Sequence, residues 1–374
     1  MKIGCPREIK NREYRVGITP AAAASYAGCG HRVFVERGAG IESGFEDAEY
    51  TAAGASVLGS ASEVWETCDM IVKVKEPLPE EFPLMRPHQI IFTYFHFAAS
   101  RALTEACLKS KAACIAYELI EEPWGLPLLQ PMSEVAGRMS VLMGATYLGR
   151  NFGGSGILPT GVTGVGPARI LIVGGGTVGT NAARIAAGLA AMVVITDVSY
   201  KRLEYLSEIL PFNCVSIYSD EHAIERETAN ADIVIGAVLI HGGAAAPKLI
   251  KREYLRSMRP GSVFVDVAID QGGLSETSRP TNHDNPVYVE EGVVHYCVAN
   301  MPAAYSRTST MALSNATVQY GLRIANLGAI EACRGSEALA RGLAVYNGSL
   351  TVEPVATAFG LESVYADPDA VINS

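Results

Sequence analysis

RILIVGGGTVGTNAARIAAGLAAMVVITDV, running from Arg169 to Val198, reads as a strand, a glycine turn, a helix and a second strand that ends on an acid. Gly174, Gly176 and Gly179 stand at GxGxxG spacing directly after the apolar run Ile170 to Val173, and they open a small-residue helix from about Val178 to Ala190. The first glycine permits a tight turn, and the second lets backbone N–H groups approach a pyrophosphate at the positive end of the helix. The third allows close helix–strand packing. The second strand, Met192 to Thr196, delivers Asp197, 23 positions after Gly174. Its carboxylate is suited to accept hydrogen bonds from adenosine ribose hydroxyls and to repel a 2′-phosphate, so the pattern predicts NAD rather than NADP. A lone GxGxxG is often only a glycine-rich turn. Here strand, helix, second strand and acid are in register, which is the context the motif requires.

Outward from this unit the chain alternates. Before it, Arg32 to Val35, Met70 to Val74, Gln89 to Phe92 and Cys114 to Tyr117 read as short buried strands. Between them Thr19 precedes Pro20 as a helix N-cap with proline at the first helical position, and Ser100 precedes another helical stretch. A long helical pattern from about Met132 to Asn151 leads through the glycine-rich loop FGGSGILPTGVTGVGP into the nucleotide unit. After it, Asp232 to Val238, Ser262 to Ala268 and Val294 to Ala299 extend a parallel sheet, and from Thr308 onward the pattern is helical to the end. The expected architecture is α/β, with two doubly wound domains. Residues 131–304 form a central Rossmann NAD-binding domain, and residues 1–130 with 305–374 form a discontinuous substrate domain, with a cleft between the two.

Composition sets the class. The 374 residues suggest two domains, and 49% apolar content is ample for two cores. A net charge of −9 and a pI near 5.4, without any basic stretch, argue against nucleic acid as a partner. No apolar run approaches the ~18 residues of a membrane span, and MKIGCPREIK lacks the apolar centre of a signal peptide, so a cytoplasmic protein is expected. Eight cysteines are scattered from Cys5 to Cys333 without a CxxC pair, which predicts buried free thiols rather than a zinc or redox motif.

Specific residues then carry a resemblance. GCPREIKNREYRVGITP, VKVKEP, YFHFAASR, PMSEVAGR, IGAVLI, DVAIDQGG and CVANMP, spread in order from residue 4 to residue 302, resemble the bacterial alanine dehydrogenase family, whose relatives include the NAD-binding component of transhydrogenase. The resemblance implies reversible oxidative deamination of L-alanine to pyruvate and ammonia with NAD, by a homohexamer; no metal is expected, because no metal-ligand spacing appears and cationic residues can supply the polarisation. The rival readings are a transhydrogenase-type component, a lysine- or saccharopine-type dehydrogenase and, outside the enzymes, an NAD-sensing module.

Oxidising an amino acid to a 2-oxo acid needs a cation for the carboxylate, a polariser for the nascent carbonyl, and an acid/base. Arg15 lies in the loop before the first helix, where an arginine is ordinarily a solvated surface residue; the resemblance makes it the carboxylate clamp. Lys75 ends the strand IVKVK, where Lys73 and Lys75 point to the same side by strand period; Lys75 is suited to polarise an oxygen, while Lys73 is expected to extend to water. His96 follows IIFTYF at the carboxyl end of a strand, where open α/β sheets place ligands, and imidazole is the side chain best matched to proton transfer near neutrality. Asp270 ends the run SVFVDVAID ahead of a Gly-Gly loop and by resemblance works beside the histidine; Asp266, earlier in that strand, reads as structural. The resemblance also implies cofactor contacts from Ser133, with Met132 lining the pocket. Val178, Asp197, Arg202 and Ser219 are expected around pyrophosphate and adenosine, and Leu239, Ile269, Val298 and Asn300 near the nicotinamide. His31, His88, His222, His241, His283 and His295 have no motif context.

Overall fold

The computed structural model describes residues 1–239 and 245–373, so His241 lies outside the described residues. Contacts divide the chain into two compact units, Met1–Met132 with Ala303–Ser374, and Ser133–Pro302. In the first unit, strands β1 (Lys2–Cys5), β2 (Arg32–Glu36), β3 (Ser56–Leu58), β4 (Met70–Val72), β5 (Ile90–Thr93) and β6 (Ala113–Ala116) all pair in parallel. The intervening helices begin where local chemistry places them. The Thr19 side chain accepts the Ala22 N–H at the head of Pro20–Gly28, and the Ser100 side chain accepts the Leu103 N–H at the head of Arg101–Ser110. Gly17 lets the loop before the first of these helices lie against the end of β4: a Cβ there would meet the Val72 carbonyl oxygen at 2.6 Å.

In the second unit, β7 (Arg169–Val173), β8 (Met192–Asp197), β9 (Cys214–Tyr218), β10 (Ile233–Gly236), β11 (Val263–Asp266), β12 (Val287–Glu290) and β13 (Val293–Tyr296) form a sheet in the order β12-β13-β11-β10-β7-β8-β9. Among the described residues of this unit's sheet, only the β12–β13 hairpin is antiparallel. Without β12 this is the Rossmann strand order, and the direction of winding reverses between β7 and β10. Ile170, Ile172, Ile233 and Ile235 pack into a core on one face, while Leu171, Val173 and Val234 pack into another on the opposite face. Burial on both faces explains why these strands read as unbroken apolar runs.

Two sequence expectations need correction. The C-terminal region is not helical to its end: after helices Ser306–Leu327, Ala329–Arg334 and Glu337–Gly342, a hairpin forms from β14 (Leu343–Tyr346) and β15 (Ser349–Leu350). Asn347 (φ +47°) and Gly348 (φ +88°) are both left-handed, the signature of a two-residue primed turn, and Tyr346-Asn347-Gly348 is the sequence signal for it. β14 joins β6 antiparallel and completes an eight-stranded sheet, β15-β14-β6-β5-β4-β1-β2-β3. The strand expected through Ala268 stops at Asp266, and Val267–Gln271 is a 3-10 turn. The fully buried Asp266 carboxylate ends the strand by accepting the Ala268 N–H at 3.1 Å and the Leu274 N–H at 2.8 Å.

Among the described residues no helix is long and apolar enough to cross a membrane. The eight cysteines are free, but Cys29 is exposed and Cys214 half-buried, so two of them depart from the expected burial.

Candidate functional site

The second unit builds its site from backbone. Gly174, at the end of β7, has φ +108°, and a Cβ would meet the Ala237 carbonyl oxygen at 2.7 Å. A Cβ on Gly179 would fall 1.8 Å from the Gly174 carbonyl oxygen, so the third glycine lets the helix Thr177–Gly188 start on top of the turn. Gly176 is different: nothing lies within 4 Å of its Cβ position. It is the N-cap of the helix and has no side-chain cap, so the N–H groups of the first turn face an opening at the dipole's positive end. On the helix Gln130–Tyr147, Gly137 comes close to the same turn, with the Val178 carbonyl oxygen 2.3 Å from where its Cβ would be; Ser133 lies one turn earlier, half-buried.

Asp197 ends β8 half-buried. One carboxylate oxygen accepts the Gly175 N–H and the other the Ser199 N–H, each at 2.8 Å. Every carboxylate oxygen has a second acceptor direction, which leaves capacity for vicinal hydroxyls. The Arg202 guanidinium braces the turn, donating to the Gly175 carbonyl at 2.5 Å and to Thr180 Oγ1 at 2.7 Å. Ser219 follows β9, and its N–H donates to the Asp197 carbonyl. Val178, Ile269 and Val298 are buried and Leu239 is exposed; Asn300 is half-buried with φ +62°. These features fit a dinucleotide: an open N-terminal turn for pyrophosphate and an acid at the next strand end for ribose.

The first unit builds its site from side chains. Arg15 is only 3% exposed, not a surface residue, and its guanidinium grips Glu13 bidentately, Nε and Nη2 each donating at 2.6 Å. Nη1 points at Met132 Sδ, 2.9 Å away. Burial pulls the guanidinium toward deprotonation, but the Glu13 carboxylate more than offsets this and holds it charged. Lys75 carries an ammonium pushed below the ordinary lysine value by burial first and by Arg15 second. Its neighbour corrects the sequence reading. Lys73 does not reach water; it is fully buried between Glu8 (3.2 Å) and Glu81 (2.9 Å). β4 ends at Val72, so strand alternation does not govern where these two lysines lie. Burial disfavours the Lys73 ammonium, and the two carboxylates reverse that and keep it charged. The remaining Glu8 oxygen accepts the Val74 N–H at 2.7 Å and the Lys75 N–H at 3.3 Å, so the ion triad grips the segment that presents Lys75.

His96 sits just beyond β5 and is exposed, in left-handed backbone (φ 51°, ψ 46°), a conformation that costs an L-residue on the order of 1 kcal/mol. Its buried neighbours Phe95 and Phe97 stack on each other with centroids 4.6 Å apart, while the imidazole lies parallel to the Tyr94 ring at 5.8 Å. The Tyr94 hydroxyl is anchored by donating to the Leu128 carbonyl at 2.5 Å. Glu118 follows β6, and its carboxylate accepts the His96 N–H at 2.6 Å and the Phe95 N–H at 3.2 Å. Asp270 belongs to the second unit. It is exposed on the 3-10 turn, not at a strand end, with Lys248 Nζ donating to the carbonyls of the following Gly272 and Gly273.

Residue spacing did not reveal Glu8, Glu13, Glu81 or Glu118. Glu8 and Glu118 are 65 and 22 residues from the lysine and histidine they serve, Glu81 lies eight residues from Lys73 beyond the end of its strand, and Glu13 reads as one charge in a mixed-charge loop. His295, without motif context, is a buried core histidine between Thr277 Oγ1 (2.7 Å) and the Val293 carbonyl (2.9 Å).

An open glycine turn at the reversal of a mainly parallel sheet, joined in one chain to a second α/β unit carrying buried cations, defines a two-unit α/β protein of the Rossmann dinucleotide-binding class. Residues 4–136 match the family model for the alanine dehydrogenase/PNT N-terminal domain, and residues 140–353 match its C-terminal domain. The chain belongs to the alanine dehydrogenase/PNT family. It is 52% identical over 367 residues to the alanine dehydrogenase of Halomonas elongata, covering 98% of this chain and 99% of that one. A solved L-alanine dehydrogenase superimposes with a TM-score of 0.93 at 48% identity, covering 96% and 99% of the two chains. A transhydrogenase from Sinorhizobium meliloti gives 0.81 at 25% identity, covering 94% and 98%.

Proposed function

We propose that this protein is an NAD-dependent L-alanine dehydrogenase that interconverts L-alanine with pyruvate and ammonia. The observation that supports this best is the pair of cations in the first unit, buried Arg15 and half-buried Lys75. Arg15 is satisfied by Glu13, whereas Lys75 is desolvated and feels the guanidinium beside it. An anionic carboxylate relieves that cost, so the site favours a small 2-amino or 2-oxo acid over a neutral ligand.

The nucleotide would be held by the uncapped N–H groups of the helix's first turn behind Gly176, with Arg202 bracing the glycine turn and Asp197 receiving the ribose hydroxyls; the acid at that position disfavours a 2′-phosphate. Alanine reacts as the free amine, its ammonium proton having passed to solvent, and a bound nicotinamide would supply the acceptor for the hydride of its Cα. Arg15 holds the substrate carboxylate. Water adds to the resulting iminium carbon, and Lys75 donates a hydrogen bond to the oxygen of the carbinolamine and then of the carbonyl. His96 takes the proton from the incoming water and returns it to the amino nitrogen; as the C–N bond breaks and ammonia leaves, the carbinolamine hydroxyl proton passes to His96 and the carbonyl forms, with Asp270 assisting the transfers. The test is NADH formation by the purified protein against a panel of amino acids, with NAD and NADP compared. Strong preference for alanine and for NAD supports the reading; turnover of lysine instead, or none with any amino acid, overturns it.

A further inference from the structure

We propose that Glu118 is a positioning residue for His96, holding the backbone in the conformation that aims the imidazole. The inference rests on the reading of His96 as the proton-transfer group. Three observations carry it. His96 is left-handed at φ 51° without being glycine, so something must hold it there. The residues on either side turn into the core and stack on each other, which forces the chain to reverse at residue 96 and directs its side chain the other way. The reversal leaves two consecutive N–H groups, of Phe95 and His96, aimed at one carboxylate, and both bond to Glu118.

The topology explains why Glu118 serves. β5 and β6 run parallel with Thr93 opposite Ala116, so the residue two places past Ala116 lies beside the chain leaving β5. A charge-assisted acceptor for two donors at that point substitutes for the strand ladder that has just ended. The ring is then steadied from the side by Tyr94. Glu118 bonds to the backbone N–H groups of Phe95 and His96, so the effect of changing it passes through the histidine.

The experiment is a double-mutant cycle on the full-length enzyme. Glu118→Ala is expected to lower kcat for alanine oxidation roughly 10- to 100-fold, the scale of a small misplacement of a catalytic group, with NADH affinity unchanged. In a His96→Ala background the same change is expected to cost no more than about twofold, because its target is gone. Glu118→Gln keeps an acceptor oxygen and is expected to recover most of the rate. If the alanine variant does not fold, Glu118→Asp, which withdraws the oxygens by one methylene, takes its place in the cycle. Losses that multiply in the double variant, full turnover in Glu118→Ala, or a glutamine variant as slow as the alanine one each overturn the proposal. Near-normal turnover in His96→Ala alone identifies failure of the underlying reading instead.

Discussion

The two units solve the same problem with different materials. Both are mainly parallel sheets with antiparallel strands at one edge, and both place candidate residues beyond the carboxyl ends of strands. In the second unit the binding surface is backbone: a positive-φ glycine, a second glycine with open space at its Cβ position, and a helix whose first turn has no side-chain cap. In the first unit the surface is charged side chains held by other charged side chains, Glu13 on Arg15 and Glu8 with Glu81 on Lys73, while Glu118 carries the backbone of His96. A backbone site is local and is sensitive to a single Cβ. A side-chain site is assembled from distant segments and is sensitive to unbalanced charge.

The largest expected effect separates chemistry from binding. His96→Ala leaves the glycine turn and Asp197 untouched, so NADH titration should be unchanged while turnover falls by roughly 10²–10⁴, the usual contribution of general acid–base catalysis. Turnover near that of the parent would remove the histidine from the chemistry. Next is Lys73→Met, which strands two buried carboxylates and should destabilise the first unit by about 3–5 kcal/mol in urea unfolding. A negligible change would mean that Glu8 and Glu81 find other partners.

Gly179→Ala tests the backbone site. The added carbon must displace the Gly174 carbonyl, so stability should drop by about 1–3 kcal/mol and NADH affinity should fall with it. Retained affinity would mean that the turn yields without losing its donors. The smallest effect concerns pH. Because the Lys75 ammonium is held below the ordinary value of 10.5, it loses its proton at a lower pH than a free lysine. Pyruvate binding to the NADH-loaded enzyme should therefore weaken as the pH rises, with a midpoint below 10.5, and Lys75→Arg should move that loss beyond the accessible range. An unchanged alkaline limb in the arginine variant would show that Lys75 is not the titrating group.

The residues themselves determined the glycine turn, the helix behind it, the acid at the next strand end, the caps at Thr19 and Ser100, and the α/β class. These follow from backbone geometry within a few residues, or from a period that repeats along one element, and neither requires knowledge of distant partners. The hairpin at Tyr346-Asn347-Gly348-Ser349 was also legible on those terms and is missed only when the helical pattern before it is extended too far. Only the tertiary structure decided that Lys73 is buried, that Glu13 occupies one edge of Arg15, that Asp266 rather than Asp270 ends its strand, and that Glu118 supports His96. The Lys73 and Glu118 pairings depend on which segments the sheet brings side by side, the Glu13 and Asp266 ones on how a loop folds back on itself, and a lone charge in a sequence looks the same whether it faces water or a partner sixty residues away. Burial and pairing are properties of the closed chain, because desolvation makes an unpaired charge costly only once the partner's segment has folded over it.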